Sequence, residues 1–366
     1  MKKIILSGGG TGGHIYPAVA VAQALKSEYG DQVKILFVGA EGRMEMQKIP
    51  ALGYDIVGLP IAGLQRRLDW HNIEVPFRLM KSISKAKRVI KEFDADLVIG
   101  FGGYASAPVL WAAQRLGIPT IIQEQNSFAG LTNKILAKRV KHICVAYAGM
   151  ERFFPSSDIT LTGNPLRGTL GSQQVDKKQA LEQFGLDDSR PVVLVVGGSL
   201  GTRTLNEVMK RWIADNPSDR PIQMIWQTGK YYEKEMLRFA EQHSMEGIWQ
   251  GAFIERMDLA YAAASLVVSR SGACTVSELC LLGKATIFVP SPNVAEDHQT
   301  CNARALSDKG AALMVTDAAA VGSCIERAIE LIGQPDQLKA IELKAKALAT
   351  PNAAADIVKI AKKYLE

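Results

Sequence analysis

Short apolar runs alternate along this chain with longer segments of helical periodicity. Ile4 to Leu6, Val33 to Val38, Leu97 to Phe101, Thr120 to Gln123 and Ile143 to Ala146 read as strands in the first half. Pro191 to Val196, Met224 to Gln227, Ile248 to Phe253, Leu266 to Val268 and Thr286 to Val289 read the same way in the second. Several of these runs are apolar throughout, which predicts strands covered on both faces, as in parallel sheets. Helices are predicted from about Pro17 to Tyr29, after Pro76, from Asp176 to Phe184, across Leu205 and Val208, and from Ala273 until Gly283 stops it. Three more close the chain, near Val321 to Leu331, Gln337 to Ala347 and Ala353 to Tyr364.

Such alternation means an α/β fold. The plan of strand, glycine loop and helix at residues 4–29 recurs from Pro191. The chain therefore reads as two doubly wound, Rossmann-like domains facing each other across a cleft. Leu161 to Arg167 carries Gly163, Asn164 and Pro165, which together break structure. The expected division is 1–163 and 164–349, with a last helix, 350–366, packing back on the first domain.

Composition narrows the class. A chain of 366 residues, 47% hydrophobic and 22% charged, suits two soluble domains. A net charge of +6 is too small to argue for a nucleic-acid partner, and none is expected. Cys144, Cys274, Cys280, Cys301 and Cys324 include no Cys-x-x-Cys pair, so neither a zinc site nor a disulfide framework is expected. Lys2 and Lys3 precede only three apolar residues, too few for a signal peptide. No apolar stretch reaches the ~18 residues of a membrane span. The charge is concentrated in Gln65 to Lys91, where Arg66, Arg67, Arg78, Lys81, Lys85, Lys87, Arg88 and Lys91 face only Asp69 and Glu74. Leu79, Ile83, Ala86, Ile90 and Phe93 fall at core-facing spacing, and Arg78, Lys81, Lys85 and Arg88 share another face. With Trp70, Ile73, Val75 and Phe77 just upstream, the segment suits an anionic membrane surface or a solvated helix face.

The chemistry gathers at strand ends. Gly8, Gly10 and Gly13 satisfy G-x-G-x-x-G, but the acid a dinucleotide site needs about 20 residues on would have to be the more distant Glu41, beside Arg43. The loop's glycines let any anionic ligand approach backbone N–H groups. His14 follows the loop and is a candidate general base or a structural hydrogen-bonder. Asp94-Ala-Asp96 imitates a metal motif at a strand's N-terminal end, away from where ligands bind, and reads as a solvated pair. Gly102-Gly103-Tyr104, Ser106 and Glu124-Gln125-Asn126 leave strands at the productive end. Ser199, in Gly197 to Thr202, can offer its hydroxyl and N–H to a phosphate. After Leu266 to Val268, Thr275 lies in the first turn of a helix, where free N–H groups favour phosphate. Glu278, about one turn on, can accept hydrogen bonds from the vicinal hydroxyls of a ribose. That spacing suits a nucleoside diphosphate, or an ordinary capped helix.

Gly8 to His14, Glu124-Gln125-Asn126, Gly163 to Arg167, Gly197-Gly198-Ser199 and Ser269 to Glu278, in this order, resemble the lipid II-forming undecaprenyldiphospho-muramoylpentapeptide β-N-acetylglucosaminyltransferases. The resemblance covers essentially the whole chain. It implies the GT-B glycosyltransferase fold. It also implies transfer of N-acetylglucosamine from UDP-N-acetylglucosamine to undecaprenyl-diphospho-N-acetylmuramoyl-pentapeptide, in peptidoglycan synthesis and hence cell shape and division. It implies that Ala273, Cys274, Thr275 and Glu278 hold the uridine diphosphate, with Glu278 on the ribose. By the same resemblance Ile254 meets the uracil through its backbone, and Ser199 and Arg167 contact the phosphate–uridine part. Asn126 lies near the transferred sugar, and Tyr104 is counted with the substrate. Thr11, Gly12 and Gly13 are counted with the donor, although the loop also suits the acceptor's diphosphate. Gln299 holds the donor sugar; the family often has two adjacent glutamines where this chain has His298-Gln299. His14 is the expected base of an inverting transfer. Helix N-termini, loop N–H groups and Arg167 stabilise the leaving UDP, and neither metal nor cofactor is expected. The expected location is peripheral, on the cytoplasmic side of the cell membrane. Rival readings are a diacylglycerol glucosyltransferase, a UDP-sugar epimerase, an NAD-dependent oxidoreductase and a non-catalytic UDP-sugar sensor.

Overall fold

All strand pairings among the described residues are parallel, in two sheets. The structure, a computed structural model, describes residues 1–61, 71–154, 158–166 and 175–366. The chain divides into two compact units: Met1–Arg167 with Thr350–Glu366, and Gly168–Ala349.

The first unit runs β1 (Lys2–Ser7), α1 (Gly12–Tyr29), β2 (Val33–Ala40), α2 (Glu45–Lys48), β3 (Asp55–Leu59), α3 (His71–Phe93), β4 (Leu97–Gly100), α4 (Ser106–Arg115), β5 (Thr120–Glu124), α5 (Leu131–Leu136), β6 (His142–Val145) and β7 (Ile159–Leu161). Its sheet order is β3-β2-β1-β4-β5-β6-β7. The order reverses between β1 and β4, which opens a fork at their C-terminal ends where a doubly wound sheet binds ligands. Ile4 and Leu6 face a core with Ile15, Ala18 and Ala22 of α1, while Ile5 faces Val109, Leu110 and Ile90 on the other side. Successive strand side chains point to opposite faces, so a strand covered twice has to be apolar at every position.

The second unit runs α6 (Lys177–Gln183), β8 (Val192–Val196), α7 (Arg203–Asp215), β9 (Gln223–Gln227), α8 (Glu233–Ala240), β10 (Ile248–Gly251), α9 (Met257–Ala263), β11 (Leu266–Ser269), α10 (Ala273–Leu282), β12 (Thr286–Phe288), α11 (His298–Ser307), β13 (Leu313–Met314), α12 (Asp317–Ile332) and α13 (Pro335–Ala347). Its order, β10-β9-β8-β11-β12-β13, repeats that of the first six strands of unit one, with the fork between β8 and β11. The last helix, α14 (Ala353–Lys362), returns to unit one, where Ile357, Ile360 and Ala361 join the core around α1.

Some elements differ from expectation. α1 starts at Gly12, not Pro17, with Thr11 extended before it (φ −145°), so Gly12, Gly13 and His14 form its first turn. Pro17 lies inside the helix, where its missing N–H deprives only the Gly13 carbonyl of its helical donor. α3 starts before Pro76, and its packed face begins at Ser82: Ala86, Val89 and Ile90 are buried, but Leu79 is exposed. Arg66, Arg67, Asp69, Trp70 and Arg167 lie outside the described residues, as do the side chains of Ile73, Glu74 and Val75. Asp96 accepts the backbone N–H of Lys3 (2.7 Å) and Asp94 pairs with the Lys3 ammonium (3.1 Å), so this pair holds the start of β1. The short strands β3, β7 and β13 carry too little pattern to be read from sequence.

Gly163 and Thr350 meet inside unit one. Gly163 has φ +86°, and a Cβ there would stand 1.8 Å from Thr350 Oγ1. Gly163→Ala combines left-handed strain with that clash, so it is expected to destabilise unit one by at least about 2 kcal/mol. Thermal melting checks this, as a fall of roughly 5 °C or more in the midpoint.

Candidate active site

At the fork of the first sheet, the loop after β1 and the loop after β4 touch. A Cβ on Gly103 (φ +73°) would lie 2.5 Å from the Gly9 carbonyl and 3.3 Å from His14 Cδ2. Only glycine leaves room for the imidazole there. His14 Nδ1 lies 3.1 Å from Gln125 Oε1. The Gln125 amide cannot turn over, because its Nε2 donates to the carbonyls of Phe101 (2.8 Å) and Gln123 (3.1 Å). Oε1 therefore faces His14, and Nδ1 must carry the proton. The lone pair of the neutral ring is then on Nε2, the arrangement a general base needs. Gln125 is itself held: Asn164 Nδ2 donates to its carbonyl (3.0 Å), while Gln123 Nε2 donates to Asn164 Oδ1 (3.0 Å).

Of Glu124, Gln125 and Asn126, expected together at the cleft edge, the first two are buried. Glu124 Oε1 accepts the backbone N–H (3.0 Å) and Nδ2 (3.3 Å) of Asn126. Its Oε2 accepts Gly130 N–H (3.1 Å) and Asn133 Nδ2 (2.7 Å). Glu124 thus braces the turn that presents Asn126. Tyr104 lies over Gly10, its hydroxyl 3.2 Å from where a Cβ on Gly10 would be. Gly12 and Gly13 contribute first-turn N–H groups of α1, beside Thr11. Glu41, directly after β2, pairs with Lys85 (2.8 Å). Glu45 occupies the underside of the loop instead, accepting Ala40 N–H (3.0 Å) and Gly10 N–H (3.2 Å).

At the fork of the second sheet, Gly197 to Thr202 leads from β8 into α7, with Ser199 exposed. Gln227, at the end of β9, ties this loop to Ile254: its Nε2 donates to the Gly198 carbonyl (2.9 Å) and its Oε1 accepts Ile254 N–H (2.8 Å). The Ile254 backbone therefore offers a ligand its carbonyl, not its N–H. Gly272 is extended (ψ 144°) ahead of α10, so Ala273, Cys274 and Thr275 form the helix's first turn, where N–H groups point out of the N-terminal end. Glu278 accepts the Tyr261 hydroxyl on Oε2 (3.3 Å). Burial, and then the nearby Glu278 charge and that hydrogen bond, hold the Tyr261 hydroxyl well above its usual pKa, so it stays a donor. Gln299, in the first turn of α11, accepts Ser291 N–H on Oε1 (2.9 Å), which aims its Nε2 as a donor; its carbonyl accepts the Ser271 hydroxyl (2.8 Å). Half-buried His298 precedes it, after Glu296 and Asp297 in left-handed conformation (φ +55° and +49°). Arg270 serves the scaffold, donating to the carbonyls of Val289 (2.9 Å) and Pro290 (3.1 Å) and to Asp317 (2.5 Å).

Among the described residues, no three His, Cys, Asp or Glu side chains gather where they could hold a metal. Burial pushes the Cys144, Cys280 and Cys324 thiols up to about 12, which leaves them unreactive. Glu45, Gln227, Tyr261 and Ser291 were missed by sequence reasoning. Gln227 had a usable signal: like Glu124, it is a polar residue ending an apolar strand.

The profile of the glycosyltransferase family 28 N-terminal domain matches residues 4–145, and that of the family 28 C-terminal domain matches residues 192–360. The chain belongs to glycosyltransferase family 28. A family relative from Parabacteroides distasonis, named UDP-N-acetylglucosamine–N-acetylmuramyl-(pentapeptide) pyrophosphoryl-undecaprenol N-acetylglucosamine transferase, is 49% identical over 97% of this chain and 96% of its own. A Porphyromonas gingivalis relative of the same name is 48% identical over 97% of this chain and 94% of its own. The crystal structure of Acinetobacter baumannii MurG superposes with TM-score 0.79 at 30% identity, covering 99% of this chain and 100% of that one. A UDP-GlcNAc 2-epimerase from Neisseria meningitidis shares the fold alone (TM-score 0.68, 16% identity, 99% and 100% covered). The architecture of this family 28 chain is thus the two-domain α/β plan of GT-B glycosyltransferases.

The tautomer of His14 can be read directly. Nitrogen NMR of the neutral ring is expected to show protonated Nδ1 and pyridine-type Nε2. In Gln125→Leu, which removes the acceptor, the two tautomers should mix.

Proposed function

We propose that this chain transfers N-acetylglucosamine from UDP-N-acetylglucosamine to the 4-hydroxyl of undecaprenyl-diphospho-N-acetylmuramoyl-pentapeptide, with inversion at the anomeric carbon, giving lipid II. What carries the reading is the His14–Gln125 hydrogen bond at the first fork, in a chain 49% identical to a protein named for this transfer.

In this reading the second unit binds the donor. First-turn N–H groups of α7 and α10, with Ser199, Ala273, Cys274 and Thr275, receive the diphosphate. Arg167 adds a cation. Glu278 accepts the ribose hydroxyls, the Ile254 carbonyl accepts the uracil N–H, and Gln299 Nε2 donates to the sugar. The first unit binds the acceptor, its diphosphate on Thr11, Gly12 and Gly13, its sugar beside Tyr104 and Asn126. His14 Nε2 removes the proton of the muramoyl 4-hydroxyl as that oxygen attacks the anomeric carbon. The bond to UDP breaks, and its negative charge is stabilised by the helix N-termini. The UDP leaving group is already activated, so a glycosidase's second carboxyl group is not needed.

The same reading makes the protein peripheral, on the cytoplasmic face of the cell membrane, feeding cell-wall synthesis and through it cell shape and division. No described helix is long and apolar enough to cross a membrane. Phe77 (67% exposed) and Met80 (61%) lie on α3 with exposed Lys81, Lys87 and Arg88. Apolar insertion with ~1 kcal/mol per basic residue near anionic headgroups supports such docking.

Transfer of labelled N-acetylglucosamine to a polyprenyl-diphospho-muramoyl-pentapeptide, with EDTA present, tests the reading. Product is expected, and His14→Ala should lower kcat about 10²- to 10⁴-fold while UDP binding persists. UDP binding without transfer by the unmodified chain would favour a sensor or another acceptor. In vesicle flotation, Phe77→Ser with Met80→Ser should weaken binding to phosphatidylglycerol vesicles and leave transfer to a short-chain, soluble acceptor intact.

A further inference from the structure

We propose that Glu45 is an internal anion seated in the first glycine loop, where it keeps phosphate off the loop's first half and confines a bound diphosphate to the start of α1. The inference rests on reading that loop as the acceptor's diphosphate seat.

Glu45 opens the short helix α2 and is 1% exposed. A buried carboxylate needs donors or a cation. Among the described residues no Lys or Arg pairs with it; its partners are Ala40 N–H at 3.0 Å and Gly10 N–H at 3.2 and 3.3 Å to its two oxygens. Its side chain lies in a slot that two glycines leave open. A Cβ on Gly9 would stand 2.2 Å from Oε1, and one on Gly39 would stand 2.6 Å from Cγ. Gly9 and Gly10 thus close over a carboxylate that belongs to the protein. In a dinucleotide loop, Gly10 N–H would be a donor to the ligand's phosphate. Here that donor is already engaged, and the negative charge beneath it repels a second anion. The first turn of α1 has no such carboxylate beneath it in the described contacts and presents the positive dipole end of that helix. A diphosphate is therefore pushed toward the end of the loop where His14 stands. Glu45 acts through the loop, as a positioning and specificity residue.

The experiment is calorimetric titration of inorganic pyrophosphate into the full chain, with UDP saturating the second unit's phosphate seat. Glu45→Gln keeps nearly the same shape without the charge, and it is expected to bind pyrophosphate about tenfold more tightly. In the transfer assay the same variant should lower the kcat and the KM of the lipid-linked acceptor together, because its diphosphate then also binds misplaced, and leave the donor KM unchanged. A purely structural role would lower the melting temperature and the active fraction without moving either KM. Gly39→Ala displaces the Glu45 side chain from the β2 side without touching the loop, and it should shift pyrophosphate binding in the same direction. It decides the matter if Glu45→Gln does not fold. Unchanged or weaker pyrophosphate binding in a folded variant overturns the proposal. The pyrophosphate result reads independently of transfer, so loss of the proposed reaction and loss of this inference are separate outcomes.

Discussion

Backbone has to touch backbone beside the first glycine loop of each unit, and much of the chemistry follows from that constraint. In unit one a Cβ on Gly103 would lie 2.5 Å from the Gly9 carbonyl; in unit two a Cβ on Gly229 would lie 2.1 Å from Gly201 Cα. A side chain at either place would force the loops apart. Glycine brings the loops together and leaves N–H groups exposed where a helix begins. The same absence of side chains makes room for the His14 ring in one unit. The glycines thus serve packing first, and anion binding becomes available because of it.

The buried amides of unit one turn that geometry into a chemical state. Asn164, Gln123 and Gln125 hold one another, and Gln125 holds His14. Each such bond contributes only about 1 kcal/mol net, but an unmade one costs about 1–3 kcal/mol in a buried setting. The network is consequently close to all-or-none, and one amide orientation fixes which imidazole nitrogen bears the proton. Asn164 belongs to the Gly163-Asn164-Pro165 segment, whose composition reads as a structure breaker. Its buried role, bonded to the carbonyl of Gln125, is invisible in that composition.

What the sequence made legible were the parts set by local pattern. Apolar runs gave the central strands, and Gly283, predicted to stop α10, does so in left-handed conformation (φ 66°). Edge strands such as β7 and β13 have three and two residues, too few for a period to register. The start of α1 was misread because glycines lower helix propensity, whereas a first turn, whose N–H groups have no acceptor within the helix, tolerates them. Ser269-Arg270-Ser271 was legible as a motif but not as chemistry: Arg270 holds the carbonyls just after β12 and Asp317, and Ser271 holds the Gln299 carbonyl. Long-range partners such as Gln227 and Ile254 could not be paired from spacing, because neither residue type announces the other.

The two units share one strand order but fill their forks differently, and the difference argues for a division of labour. The loop after β1 carries a built-in carboxylate and leads into a histidine whose tautomer is fixed. The loop after β8 carries no such charge in its described contacts; Gln227, neutral, holds it at Gly198. A nucleoside diphosphate concentrates negative charge and gains most at helix N-termini that no fixed anion opposes. The two glycine loops thus differ in fixed charge: a buried carboxylate lies under the loop of the histidine-bearing unit, and a neutral amide holds the loop of the other.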